Sequence, residues 1–204
     1  RLPVPLKRRL AARFETYGAK ADLYVCFAER AVELLADGGR LGLVLGAGFL
    51  RLASFERLRR WLVERARVRR VLELTGSAFP GASVRAAVLV AERGGAPGPV
   101  EVARIDAADL GERPRWRAIP FAGFAPGGGR PFDTGYTPAG AAAKARMERR
   151  GAPLGELFTV CFGLKTGDDG RFVTRRPDGP DCRRLVRGAQ VGRYRARHAG
   201  EWVR

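Results

Sequence analysis

The feature that most constrains this chain is a twice-repeated alternation of an amphipathic helical stretch with a short apolar run. A third apolar run then follows with no helix before it. Residues 22–37 set Leu23, Phe27, Ala31, Leu34 and Leu35 at helical spacing, with Asp22 as N-cap and Gly38-Gly39 as the stop. The next run, 40–45, reads as a strand buried on both faces of a parallel sheet. A second helix is expected from a Ser54 cap to Ala66, with Phe55, Leu58 and Leu62 facing inward, and a second strand over 68–74. Two successive helix–strand units predict an α/β sheet with helices on its faces. Residues 85–92 are reached only through the loop 75–83, too short for a crossover helix. This third strand is therefore expected to pair antiparallel with the second, as a reversed hairpin at the sheet's edge.

From Gly94 the chain becomes rich in glycine and proline, with a strand expected at 100–105. Residues 121–137, containing Pro126-Gly127-Gly128-Gly129 and Asp133-Thr134-Gly135, read as a linker leaving the sheet domain. A helix over 138–150 follows, proline being tolerated in its first turn. Residues 151–204 alternate short apolar pieces with turns and read as an incomplete β-rich unit. The expected organisation is a sheet domain over 1–120, a linker and connecting helix over 121–150, and a second unit over 151–204. On this reading no strand beyond the first hundred residues returns to the main sheet. The first residue, Arg1, and the charged stretch that ends at Arg204 read as the limits of a fragment.

At 204 residues and 46% hydrophobic content the chain can bury a real core. Its 38 Lys+Arg against 21 Asp+Glu leave a net charge of +17. Such a surface suits a polyanion, because each neutralised phosphate releases condensed counterions. Arginine adds planar, forked donors that fit phosphates and guanine edges. A GC-rich coding sequence would produce the same bias, so charge alone does not settle function. Cys26, Cys161 and Cys182 are too widely spaced for a metal knuckle, and read as reduced cytoplasmic thiols with no disulfide and no zinc. No apolar run approaches the roughly 20 residues that span a bilayer, so no membrane contact is expected. The sequence offers no Gly-rich phosphate loop, no paired carboxylates and no Ser/His/Asp arrangement. His198 has nothing around it that would make a catalytic base or a metal ligand.

Three stretches carry a resemblance. The first is Ala21-Asp22-Leu23-Tyr24-Val25-Cys26-Phe27 leading into Ala36-Asp37-Gly38-Gly39-Arg40-Leu41-Gly42. The second is Ala78-Phe79-Pro80-Gly81-Ala82-Ser83-Val84. The third is Gly163-Leu164-Lys165-Thr166-Gly167 with Leu185-Val186-Arg187-Gly188 and Arg193-Tyr194. In this order they resemble the amino-methylating adenine-specific DNA methyltransferases of the Taq type, a group that includes restriction-modification methylases. The resemblance implies the second half of a class I, Rossmann-like methyltransferase domain with a reversed edge hairpin, followed by the start of a target-recognition domain. The family's Gly-rich cofactor loop and Asn-Pro-Pro-Tyr signature are not in this sequence, so the chain alone is expected not to transfer methyl groups.

By resemblance, Phe79 stacks on an adenine rotated out of the duplex, and Asp22 and Tyr24 flank the S-adenosylmethionine cleft. Capping by Asp22 and core packing by Tyr24 are the alternatives, as is an ordinary apolar plug for Phe79. Gly46-Ala47-Gly48-Phe49 stands where relatives carry polar side chains, which leaves only backbone for contacts there. Lys165, Thr166, Arg187, Arg193, Tyr194 and Arg197 are the candidate contacts to double-stranded DNA, through phosphates more than bases. The implied activity is transfer of a methyl group to adenine N6 in restriction-modification or phage defence, with a restriction endonuclease domain or subunit as partner. The alternatives are a non-catalytic DNA-binding specificity module and a class I methyltransferase acting on RNA or a small molecule.

Overall fold

The computed structural model describes all residues except 1, 19, 77, 80–83, 128, 160 and 162. It divides into two units, Arg1–Arg150 and Gly151–Arg204. The first contains α1 (Val4–Arg13), α2 (Tyr24–Glu33), β1 (Arg40–Gly46), α3 (Glu56–Arg65), β2 (Ala66–Thr75), β3 (Ala86–Arg93), β4 (Val100–Asp106), β5 (Arg117–Ile119), α4 (Phe121–Phe124) and α5 (Pro138–Arg150). It is an α/β unit around one mixed sheet in the order β1-β3-β2-β4-β5.

The helix–strand alternation and the reversal are both present. β3 runs antiparallel to β2, with Val71 opposite Leu89 and Glu73 opposite Ala87. It also runs antiparallel to β1, from Arg40 opposite Glu92 to Gly46 opposite Ala86. The hairpin is therefore not at the edge, because β3 fills the slot between β1 and β2. β1 is the edge strand, and its alternating exposure, with Val44 56% exposed, replaces the expected burial on both faces. The side chains that line the slot are small and apolar: Ala87, Leu89 and Ala91 are fully buried against Val68 and Val71.

The sheet also continues past residue 100, contrary to the sequence reading. β4 pairs parallel with β2, Val71 opposite Val102, and β5 pairs antiparallel with β4. Residues 121–137 are likewise no linker. Phe124 and Phe132 are buried and stack at 4.7 Å, and Phe132 meets Phe49 edge-on at 6.5 Å. Aromatic burial of this size outweighs the local Gly/Pro signal, which marks turns but not their location. α5 spans the expected residues.

In α3 the expected Phe55, Leu58 and Leu62 are buried, although Ser54 does not cap the helix. In α2 the burial is of another face: Val25, Cys26, Ala28, Glu29 and Val32 are inside, while Phe27 and Leu34 are 69% and 68% exposed. This helix is apolar on more than one side, so periodicity alone had two solutions. The choice follows Glu29, whose carboxylate accepts the backbone N–H groups of Glu15 and Thr16 at 3.0 and 2.8 Å. Asp22 accepts from the adjacent Leu23 N–H at 2.7 Å and supplies no cap to α2.

Three arginines fasten 121–137 to the sheet, one of them Arg117 of β5, which donates to the carbonyls of Thr134 and Tyr136. Arg59, 1% exposed, donates to the carbonyls of Phe49, Leu52, Gly129 and Arg130 at 2.8–2.9 Å. Arg51 grips both oxygens of Glu73 at 3.0 Å and the Thr134 hydroxyl at 2.8 Å, and Thr134 also donates to Glu73. Arg104 stands 3.6 Å from the same carboxylate.

The second unit contains α6 (Leu154–Leu157), α7 (Asp169–Phe172), β6 (Val173–Thr174), β7 (Arg183–Arg184), β8 (Val191–Gly192), β9 (Arg195–Ala196) and β10 (Trp202–Val203). Its strands are two residues each, in a β6-β10-β7 sheet and a β8-β9 hairpin. Among its described residues only Cys182 is a buried hydrophobic. Its internal order rests on hydrogen bonds and on ion pairs such as Arg204 with Asp178 at 3.0 Å.

Arg59→Met should lower the unfolding free energy by about 3 kcal/mol, since four carbonyls lose a charged donor; chemical denaturation measures it. For Glu73, burial pushes the carboxyl up, but the hydrogen bonds from Arg51 and Thr134 and the charges of Arg51 and Arg104 outweigh it and hold it below the usual range. A depressed carboxylate stabilises fully above its unfolded pKa of about 4.3 and loses that contribution as pH falls through the folded value. Glu73→Gln should therefore destabilise by about 1–2 kcal/mol at pH 7, and the gap from wild type should close below about pH 4.

Candidate functional site

β1 and β2 both run against β3, so they run the same way and end together. At this end lie the turn 47–50 after β1, the loop from Gly76 to Arg85 after β2, and the first residues of β3. Gly76 opens the loop at φ 72°, a left-handed backbone that glycine adopts without strain. Phe79 projects from this loop with half its surface exposed. Pro80 and Gly81, which follow Phe79 in the resembling stretch, lie outside the described residues.

Beside the loop is a cavity of about 580 Å³, lined by Gly48, Arg51, Glu73, Thr75, Arg85 and Arg104 among others. Glu73 is one of its walls, and it is neutralised on both oxygens. Thr75 donates to the Asp106 carboxylate at 3.0 Å, and Ala108 N–H donates to the other oxygen at 3.0 Å; with these bonds Asp106 is held below its usual pKa.

Tyr24 is engaged in the core. Its hydroxyl donates to the Gly46 carbonyl at 3.3 Å, and its ring stacks on Phe55 at 5.1 Å. Burial pushes its phenol pKa upward, reinforced by the Asp22 charge. A Cβ at Gly46 would make ordinary van der Waals contact with Tyr24 and Val84, at 3.4 and 3.5 Å. Asp22 remains exposed beside the start of α2. The sequence reading placed both at a cofactor cleft; of the two, only Asp22 keeps a polar group at the surface.

In the second unit the structure brings Lys165, Thr166 and Arg187 to one cavity of about 810 Å³. Thr166 donates to Asp169 at 2.5 Å. Arg187 is not a free cation: it pairs with Glu201 at 2.7 Å and with Asp169 at 3.0 Å, bonds that raise its own pKa. Thr166 and Arg187 together hold Asp169 below the usual carboxylate range. Lys165 is exposed with no ion pair among the described residues.

Arg193, Tyr194 and Arg197 lie elsewhere, on the β8-β9 hairpin. Arg193 and Tyr194 form its two-residue turn, and Tyr194 is 98% exposed at φ 59°. His198 is half-buried, its Nε2 bonded to the Glu201 carbonyl at 2.6 Å and its ring edge-on to Trp202. Among the described residues no cluster of His, Cys, Asp or Glu could hold a metal, and no helix is long and apolar enough to cross a membrane.

Sequence reasoning missed the Arg51–Glu73–Thr134–Arg104 cluster and the acidic partners of Arg187. One signal was present, the glutamate Glu73 between Leu72 and Leu74 in the expected strand 68–74, which burial would oblige to find cations. Nothing in the sequence identified which cations those would be.

Comparison with known proteins fits this picture. Residues 6–79, from α1 to the loop phenylalanine, match the family model described as Eco57I restriction-modification methylase. The chain is 29% identical over 199 residues to the Type II methyltransferase M.TthHB8I of Thermus thermophilus, covering 92% of this chain and 42% of that protein. It is 49% identical over 43 residues to the Type II methyltransferase M.XhoI of Xanthomonas vasicola, covering 21% of this chain and 8% of that protein. The chain thus spans less than half the length of these relatives. Among solved structures, the type IIG restriction endonuclease BpuSI superposes with a TM-score of 0.54 at 13% identity, over 73% of this chain and 21% of that one, a likeness of fold. Over residues 6–79 the chain is thus similar to the Eco57I restriction-modification methylases.

Proposed function

We propose that this chain is part of a site-specific DNA methyltransferase that rotates adenine out of the duplex and methylates its N6 amine from S-adenosylmethionine, in restriction-modification or phage defence. The observation that carries the reading is Phe79: a half-exposed aromatic ring on the loop after β2, a loop flanked by Thr75 and by Val84 and Arg85, which line a cavity with arginines in its wall. Rotation of a nucleotide out of the stack costs a few kcal/mol. Stacking on an aromatic ring contributes about 1–3 kcal/mol, enough to hold the base once the backbone is gripped.

In this reading S-adenosylmethionine supplies the methyl group. Tyr24 is turned into the core, and Asp22 offers a single surface carboxylate. Tyr24 and Asp22 thus do not make a cofactor site by themselves. Unit Gly151–Arg204 serves DNA recognition. Lys165, the tip residues Arg193 and Tyr194, and Arg197 at the base of the same hairpin meet the strand, while Arg187, tied to two acids, holds the walls of the Lys165 cavity together. A restriction endonuclease, fused or separate, is the partner.

Methylation-sensitive sequencing of a host expressing the full-length protein tests the proposal. It should find N6-methyladenine at one recurring DNA sequence; methylcytosine, or no new methylation, would contradict it. In the full-length enzyme Phe79→Ala should slow methylation about 10-fold or more, the equivalent of the lost stacking. It should also abolish the fluorescence rise of 2-aminopurine at the target position, and an unchanged rise removes Phe79 from the site. Lys165→Ala should weaken DNA binding on all sequences and flatten the salt dependence by about one unit. An unaltered slope means that Lys165 touches no phosphate.

A further inference from the structure

The same end of the sheet carries one cation that the reading above does not use. Arg85 closes the Phe79 loop and lines its cavity. Its main chain is fixed, because its carbonyl accepts the Ala47 N–H at 2.8 Å at the end of β1. Its side chain is exposed and makes no hydrogen bond or ion pair with a described residue. The only carboxylate in the cavity wall is Glu73, and both of its oxygens are held by Arg51, with Thr134 and Arg104 on Oε1 as well. Three arginines against one carboxylate leave the cavity wall with an excess of two positive charges. A guanidinium on a fixed strand end, beside a saturated acid, is set to bind an anion with a forked pair of hydrogen bonds.

We infer that Arg85 binds the phosphodiester flanking the extruded adenosine, so that the loop holds both parts of that nucleotide, the base on Phe79 and the backbone on Arg85. This rests on the proposed function and adds to it a contact specific to the target nucleotide. Phosphate gripped there favours the rotated state over the stacked one, because in the stacked duplex the same phosphate follows the helix path. The Lys165 cavity and the β8-β9 tip belong to the other unit and bear on the duplex whichever base is rotated.

The test uses the full-length enzyme and duplexes carrying the sequence found by methylation mapping, with an uncharged methylphosphonate on the 5′ or the 3′ side of the target adenine. On the ordinary duplex Arg85→Gln should lower affinity about 10-fold, the equivalent of one charge-assisted hydrogen bond. For wild type, one of the two neutral linkages should cost a similar factor. Arg85→Gln should lose nothing further on that linkage, since the two changes remove the same interaction. Losses that multiply, for both linkages, overturn the assignment. So does selective inhibition of wild type by millimolar inorganic phosphate with no effect of either linkage, which would make the cavity a site for a free anion. An unchanged unfolding midpoint for Arg85→Gln shows that the fold is intact. Absence of N6-methyladenine in the mapping refutes the proposed function itself, whereas methylation with multiplying losses refutes only the role of Arg85.

Discussion

The arrangement of the first unit depends on the reversed strand β3 lying between β1 and β2. Were β3 at the edge, β1 and β2 would be neighbours, and the loop carrying Phe79 would lead away from the turn after β1. In the slot, β3 brings Arg85 against Ala47 and sets the loop at the end where both parallel strands stop. The slot accepts β3 because its buried positions are Ala86, Ala87, Leu89 and Ala91. These apolar side chains pack between two neighbouring strands, and the backbone pairs on both edges.

Around that strand, polar staples do what apolar packing cannot. The segment 121–137 has few side chains to bury beyond Phe124, Phe132 and Thr134, and Arg59 and the Arg51–Glu73 pair hold it by its carbonyls and a hydroxyl. Buried charges of this kind are costly unless fully bonded, and here Arg59 meets four acceptors while Glu73 meets two donor side chains, Arg51 and Thr134, with Arg104 as a second cation at 3.6 Å. One consequence is functional. With Glu73 saturated, the acid does not quench Arg85, so the cavity keeps its positive character. The Gly151–Arg204 unit has the opposite balance, little core and many surface cations, which suits a surface that gains order from a polyanion.

How much of this was legible depended on how local the cause was. The inward face of α3 could be read from Phe55, Leu58 and Leu62, because only one face of that helix is apolar. The reversal of β3 could be read because nine loop residues cannot cross a sheet. The face of α2 could not, since it turns on a carboxylate, Glu29, bonding to backbone thirteen and fourteen residues away. The continuation of the sheet through β4 and the burial of 121–137 were hidden for the same reason, being decided by partners distant in sequence. At the site, Phe79 was singled out by a resemblance of its loop, and in the structure it is half exposed. Arg187 was read as a DNA contact from the resembling stretch 185–188, whereas its pairing with Asp169 and Glu201 appears only in three dimensions.

The central claim is that the loop between β2 and β3 receives the target base. Photocrosslinking measures this directly, with 5-iodouracil in place of the target adenine in a duplex bound to the full-length enzyme, and with the joined peptide mapped by mass spectrometry. The account predicts a crosslink within the loop after β2, centred on Phe79, that disappears when the iodinated base sits two pairs away. A crosslink confined to residues 151–204, or one equally strong at every position of the duplex, would contradict it.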